Sequence, residues 1–298
     1  MTGDAPPRGD GAAEITESAP AKVNLYLHVT GRRPDGYHLL DSLIVFADLC
    51  DTVTAAPAER LSLTLAGPFA EALDGADNLV SRAARALAAH AGRPPLAALR
   101  LVKHVPVAAG LGGGSSDAAA ALRALIRLWG LSIETDELAR LALELGADVP
   151  VCLSRRATLV GGVGEVLTPL DRAPPSCHLV LANPRVPLST AEVFAAFSGP
   201  TGAPAPPLGP TVDRSDLIDA LCVRRNDLEA PARQLAPVIG SVLAALDGLP
   251  DCRLARMSGS GPTCFALFDT ADEAKAGAHA LAAAHPEWWV AAAPVIAA

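Results

Sequence analysis

The feature that most constrains this chain is the run Gly110-Leu111-Gly112-Gly113-Gly114-Ser115-Ser116, set between an apolar segment and a long alanine-rich one. Four glycines fall within residues 110–114. Glycine is costly to order, so a cluster this dense needs a reason. A plain strand-to-helix turn with a serine cap explains two scattered glycines but does not need four. Without Cβ atoms in the way, backbone N–H groups can approach a ligand closely. The helix that follows leaves its first N–H groups unpaired and puts partial positive charge at the loop. Ser115 and Ser116 add hydroxyl donors. Together these describe an anion site suited to a di- or triphosphate. Neither familiar form of such a loop fits. A P-loop requires Gly-Lys, which occurs nowhere in the sequence. A dinucleotide fingerprint requires Gly or Ala where Ser115 stands.

The flanking pattern predicts strands at 21–30, 42–55, 60–66 and 98–105, and a helix capped by Asn78 running to about Ala91. In the first strand Val23, Leu25, Leu27 and Val29 alternate with Asn24, Tyr26 and His28, which predicts one buried face. A helix from the glycine cluster to Trp129 and another from Thr135 to about Gly146 follow. Two or three strands are expected between 150 and 183, with a glycine turn at 161–164. Residues 198–212 are so rich in Pro and Gly that they read as a loop. Helical patterns cover 188–197, where Ser189 and Glu192 fit a capping box, and also 215–222, 231–247 and 271–284. Strands are expected at 252–257, 263–268 and 288–295. There is no internal repeat, and the order of elements implies α+β layers rather than a regular βαβ series.

Composition narrows the class. Half of the 298 residues are apolar and 19% are charged, enough for a substantial core. The mean hydropathy of +0.30 comes from alanine. No uncharged apolar run reaches the roughly 18–20 residues of a membrane span, so no membrane association is expected. A net charge of −8 argues against nucleic-acid binding. Lys22, Lys103 and Lys275 are the only lysines among 24 basic residues. The six cysteines show no C-x-x-C spacing and read as reduced, buried thiols of a cytoplasmic protein. The first 18 residues lack the basic and apolar regions of a signal peptide and are expected to form a loose tail.

Several residues could carry chemistry. Asp148, in Leu-Gly-Ala-Asp-Val-Pro, lies between a predicted helix and an apolar stretch read as a strand. A carboxylate there has a raised pKa unless a cation pairs with it, and it could accept a proton from a hydroxyl. It could equally cap a turn. Lys22 could hold that Asp ionised or neutralise a phosphoryl group in transfer, or simply end a strand in solvent. Asn24 shares its face. Asp35-Gly36 marks a hairpin, after which Tyr37 could stack on a base and His38 bond its edge, or both could pack beside the turn. Phe194 lies on an amphipathic helix, where core packing is the plainer reading. Gly259, Ser260 and Gly261 form a second glycine turn, and Gly161–Glu165 reads as a hairpin. No cluster with metal-ligand spacing occurs, so no protein-built metal site is expected.

Taken together, Ala-Lys-Val-Asn-Leu near the start, Pro106 through Ala119, Gly-Ala-Asp-Val-Pro and Met-Ser-Gly-Ser-Gly-Pro-Thr resemble the GHMP kinase superfamily. The segments GRRPDGYH at 31–38 and Asn226-Asp-Leu-Glu sharpen the match, which runs in order from about residue 19 to 270. The resemblance implies an α+β, two-domain fold with its active site in the cleft between domains. It places an N-terminal, ATP-binding domain at 19–165 and a C-terminal domain at 166–298. It implies ATP as donor, with Mg2+ held mainly by the ATP phosphates. The implied acceptor carries a cytidine diphosphate group, namely the 2-hydroxyl of 4-diphosphocytidyl-2-C-methyl-D-erythritol in the non-mevalonate route to isoprenoids. By motif match, Lys22 and Asp148 are catalytic. The ATP-binding set is Lys103, Pro106, Val107, Ala108, Ala109, Gly110, Leu111, Gly112, Gly113, Gly114, Ser115 and Ser116. Asn24, Tyr37, His38 and Phe194 bind the acceptor, with Gly259, Ser260 and Gly261 in support. A monomer or homodimer is expected. Val107-Ala108-Ala109 stands where the family often has more glycine, and 198–212 has no clear counterpart. The alternatives are another small-molecule kinase of the superfamily, acting on mevalonate, homoserine or a sugar, or a non-catalytic nucleotide-binding module.

Overall fold

The computed structural model describes residues 14–73, 78–208 and 213–297. Two antiparallel-rich sheets organise it. The first is built on a long ribbon of β1 (Ile15–Arg32) and β2 (His38–Ala56). It also holds β3 (Ser62–Ala66), β4 (Ala98–Val102), β5 (Thr158–Gly161) and β6 (Val166–Pro169), in the order β3-β4-β2-β5-β6 with β1 paired to β2. Only β3 and β4 run parallel, and the crossover between them carries α1 (Leu79–His90). Asn78 accepts a hydrogen bond from Val80 N and starts α1 as expected.

After β4 come the glycine loop and α2 (Gly113–Trp129), α3 (Thr135–Leu145) and α4 (Val149–Ser154). Ala118 through Ala121 and Ala124 are fully buried. Their small side chains let α2 lie close against β1 and β2. The second sheet, β10-β7-β9-β8, is wholly antiparallel. It comprises β7 (His178–Asn183), β8 (Leu254–Met257), β9 (Cys264–Phe268) and β10 (Trp289–Pro294). Around it lie α5 (Thr190–Ala196), α6 (Arg214–Cys222), α7 (Glu229–Leu235), α8 (Val238–Asp247) and α9 (Ala271–Ala284). Val23, Leu25, Leu43 and Val45 of the first sheet pack with Leu179, Leu181, Phe265 and Leu267 of the second. One shared core therefore joins the two sheets, consistent with an α+β fold.

The structure corrects five expectations. Residues 15–18 are not tail but the start of β1, where Glu17 pairs with Arg123 and Arg127. Residues 1–13 lie outside the described residues. β1 is buried on both faces from Ala19 to Val29, because its polar face bonds within the protein instead of facing water. The stretch after Asp148 is helix α4, not strand; Pro150 is tolerated in a first turn. The helical pattern at 231–247 splits at Pro237, which forces Ala236 out of helical geometry. Of the six free thiols, Cys222 is exposed. The described part of the Pro-rich stretch, 198–208, is coil strapped to the first sheet: Gly202 N donates to Val29 O and Ala205 N to Asp41. Residues 209–212 lie outside the described residues.

Candidate active site

The glycine loop is shaped by what surrounds it. Gly110 and Gly112 have φ of +72° and +60°, the left-handed region that favours glycine. A Cβ on Gly110 would lie 2.5 Å from the carbonyl oxygen of Gly261, and one on Gly112 would lie 2.9 Å from Cε of Lys22. The loop is thus wedged between the 258–261 turn and β1. Ser258 Oγ bonds Gly110 O at 3.1 Å and accepts from Asn24 N at 3.1 Å, stitching the three segments together. The N–H groups at the start of α2 point from this loop with no intrahelical acceptor.

Lys22 lies beside the loop, its backbone N–H donating to Leu111 O. Its Nζ is 2.8 Å from Asp148 Oδ2 and 3.2 Å from Asn24 Oδ1. Asn24 in turn donates to Ser42 Oγ at 2.8 Å, and Ser42 donates to Tyr26 O. The amide is therefore oriented with its oxygen toward the ammonium. The Lys22 side chain is 7% exposed and that of Asp148 43%, so the carboxylate is the open end of the network. The cation that a carboxylate at this junction calls for is in place.

Three cavities meet here. One of about 430 Å³ is lined by Lys22, Asn24, Asp148, the glycines of the loop, Gly259 and Ser260. A second, of about 760 Å³, adjoins it and shares Asp148, Ser115, Thr190 and Phe194. Its far wall holds Tyr37 and His38. His38 stacks on Phe194 with ring centroids 5.4 Å apart, and Phe197 meets it edge-on at 5.7 Å. Burial holds the His38 imidazole below its ordinary pKa, and the charge of Arg32 adds to this. The ring is thus neutral at neutral pH, with one donor and one acceptor nitrogen. Tyr37 is 65% exposed, a bare aromatic face at the rim. The third cavity, about 330 Å³, lies on the other side of the loop. Pro106, Val107, Gly113 and Gly114 line it with Asn78, Leu79 and Lys103.

Lys103 is sealed beneath the loop. Its ammonium bonds Asp51 and, at 2.8 Å, Asp117. Asp51 also accepts from His104 N at 2.6 Å and Val105 N at 2.9 Å. Burial works against the Lys103 charge, but the two carboxylates outweigh it and raise its pKa. Burial pushes Asp117 up to about 7, opposed by Lys103 and reinforced by the charge of Asp51.

Most of the residues singled out from the sequence converge on these cavities. Leu111, Ser116 and Gly261 do not: Leu111 is a core residue, the Ser116 hydroxyl is tied to Pro20 O, and Gly261 packs against Gly110 from behind the loop. Sequence reasoning missed Ser42, Thr190, Phe197, Asp51 and Asp117. Phe197 was signalled by its place three residues after Phe194, and Asp117 by an acid in the first turns of α2. Ser42 and Asp51 carry no local signal, because strand pairing alone brings them here. The 161–165 hairpin also lends Val163 and Gly164 to the site.

Comparison with known proteins gives the family. Residues 78–156 match the GHMP kinases N terminal domain and residues 213–287 the GHMP kinases C terminal model. The chain belongs to the GHMP kinases. A 4-diphosphocytidyl-2-C-methyl-D-erythritol kinase of Paramagnetospirillum magneticum is 54% identical over 278 residues, covering 93% of this chain and 97% of that one. A crystal structure of 4-(cytidine 5'-diphospho)-2C-methyl-D-erythritol kinase superposes with a TM-score of 0.80 at 36% identity, covering 95% of this chain and 100% of that one. A homoserine kinase from Cytophaga hutchinsonii, at 18% identity and a TM-score of 0.72, shares the fold over 99% of this chain and 98% of its own. As a GHMP kinase the chain is a small-molecule phosphotransferase.

Proposed function

We propose that this GHMP kinase transfers the γ-phosphoryl group of ATP to the 2-hydroxyl of 4-diphosphocytidyl-2-C-methyl-D-erythritol, giving the 2-phosphate and ADP. The observation that carries this reading is the position of Asp148. It lines both the cavity bounded by the glycine loop and the cavity walled by Tyr37 and His38. A hydroxyl held in the aromatic cavity reaches the carboxylate from one side, and a phosphoryl group held by the loop reaches it from the other.

The acceptor is a tertiary alcohol, a poor nucleophile of high pKa. Asp148 accepts its proton, and Lys22 supplies fixed positive charge beside the forming alkoxide and the phosphoryl oxygens. Asn24 and Ser42 hold the ammonium in place. Phosphoryl transfer needs mostly such positioning and charge stabilisation. The loop N–H groups and Ser115 cradle the phosphates, and the cavity lined by Asn78, Leu79, Pro106 and Lys103 takes the nucleoside end of ATP. The neutral imidazole of His38 bonds the cytosine edge, and Tyr37 and Phe194 flank it. The base is what separates this acceptor from mevalonate, homoserine or sugars, none of which carries a base for Tyr37 to stack on and His38 to bond.

Among the described residues no group of three His, Cys, Asp or Glu side chains could hold a metal ion. Magnesium would be carried on ATP phosphate oxygens, where it would neutralise charge on the transferring group. Among the described residues no helix is long and apolar enough to cross a membrane. A cytoplasmic site of action accords with six free thiols. The test is ADP release with magnesium-ATP and four acceptors: the cytidine diphosphate erythritol, mevalonate, homoserine and galactose. Turnover of the first alone is expected. Turnover of another instead would discard the cytosine assignment while leaving the kinase family intact.

A further inference from the structure

A fourth recess, of about 810 Å³, lies away from the Lys22–Asp148 pair, between the end of α6, α7 and β8. Its charged lining is Arg224, Arg225, Arg233 and Arg256 against Asp227 and Glu229. Four guanidiniums facing two carboxylates stand out on a chain whose net charge is −8. The two carboxylates are already used: Asp227 pairs with Arg225, and Glu229 with Arg233 at 3.4 Å. Arg224 and Arg256 are 4% and 6% exposed, and neither has an ion-pair partner among the described residues. Their N–H groups bond carbonyl oxygens, Arg256 those of Leu25, Leu221 and Arg224, and Arg224 those of Ala220 and Pro206, while the Arg224 guanidinium also lies over the Tyr26 ring at 5.3 Å. Arg224 Nε is buried with no partner. Burial pulls Arg256 down to about 10, against the opposing influence of Cys222 and Glu229, with the like charge of Arg224 a smaller contribution. Glu229, the carboxylate that acts on Arg256, is shared with Arg233; buried cations with too little counter-charge are costly, and an anion in the recess would relieve that.

We propose that this recess is a second, non-catalytic binding site for a small, multiply phosphorylated anion. Guanidinium forks match phosphate oxygens in pairs, which favours phosphate over a single carboxylate. The volume is that of a small-molecule site, within the usual range of about 300–1,000 Å³. The floor of the recess is tied to the catalytic cleft. Asn226 Nδ2 donates to Met257 O at 2.8 Å and to Gly259 O at 2.7 Å, and Arg256 donates to Leu25 O beside Asn24. Occupancy therefore bears on the turn and the strand that frame the acceptor.

The test is calorimetric titration of the full chain with inorganic diphosphate, with the glycine loop saturated by a non-hydrolysable ATP analogue. Wild type should bind one further diphosphate per chain. The double variant Arg225→Ala/Arg233→Ala, changed only at half-exposed rim residues, should bind it at least tenfold more weakly. Its kcat and both KM values without diphosphate should match wild type. Glu229→Gln, which removes a competing carboxylate, should tighten binding severalfold. Binding that disappears once the loop is filled, or equal affinity in wild type and the double variant, would overturn the proposal. So would capture of an acidic peptide by the recess with no response to diphosphate, which would make it a protein-docking surface.

Discussion

Two of the chain's three lysines sit on opposite sides of one glycine loop, and they do opposite jobs. A Cβ on Gly112 would strike the Lys22 side chain at 2.9 Å, and one on Gly113 would come within 2.9 Å of Lys103 Nζ. Adjacent glycines thus make room for both. Above the loop, Lys22 faces a single carboxylate that is 43% exposed, in a cavity wide enough for a reactant. Below it, Lys103 is locked between carboxylates that are 0% and 3% exposed. A charge that must meet a ligand keeps one partner open to the cleft. A charge that holds a backbone in place is neutralised completely. The first arrangement is suited to chemistry and the second to stiffening the end of β4 and the start of α2, from which the loop hangs.

The sharpest break of this contrast is Lys103→Met. It leaves two carboxylates buried together and should cost about 3–5 kcal/mol of stability, read by urea unfolding. A variant that unfolds at the same urea concentration as wild type would show that the lower lysine is not structural. Next in size is Tyr37→Ala at the far wall of the open cavity. It should raise the KM for the cytidine diphosphate acceptor by about tenfold or more, the scale of one base–aromatic stack, and leave the KM for ATP unchanged. An unmoved acceptor KM would remove Tyr37 from the site.

The third effect is a slope with pH, not a single difference. Asp117, held near 7 against an ordinary 3.8, binds a proton more tightly in the folded chain than in the unfolded one. Its contribution to stability is therefore full below pH 4 and is lost as pH rises through 7. Asp117→Asn removes that loss. The stability of the variant relative to wild type should climb between pH 4 and 7 and then level off, as urea titrations at several pH values would record. A difference that is flat with pH would mean that Asp117 stays ionised between Lys103 and the helix.

The contrast also marks what was legible in the sequence. The loop announced itself through glycine density, and Lys22, Asp148 and Tyr37-His38 stood out by residue type in short motifs. Their roles did not, since each had a bland local explanation until the cleft brought them together. Asp51 and Lys103 are 52 residues apart, and only the β2–β4 pairing brings them into contact. Ser42 reaches Asn24 only through the β1–β2 register, with its bulge between Asn24 and Tyr26. α4 was misread because its short run of Val and Cys has strand-like composition, and the groove arginines passed unnoticed in an arginine-biased chain. Local chemistry can be read along a strand; partners across a sheet depend on register.

The central claim is that Lys22 and Asp148 form the reacting pair and are not a surface ion pair. It is tested most directly by single-turnover phosphoryl transfer in Asp148→Asn, together with its ATP affinity and melting temperature. The account predicts a rate reduced about 10³-fold, ATP affinity within a few-fold of wild type, and a folded variant with a cooperative melting transition, because Asn24 Oδ1 and the new amide oxygen still accept from the buried Lys22 ammonium. Transfer at the wild-type rate in this variant would contradict it.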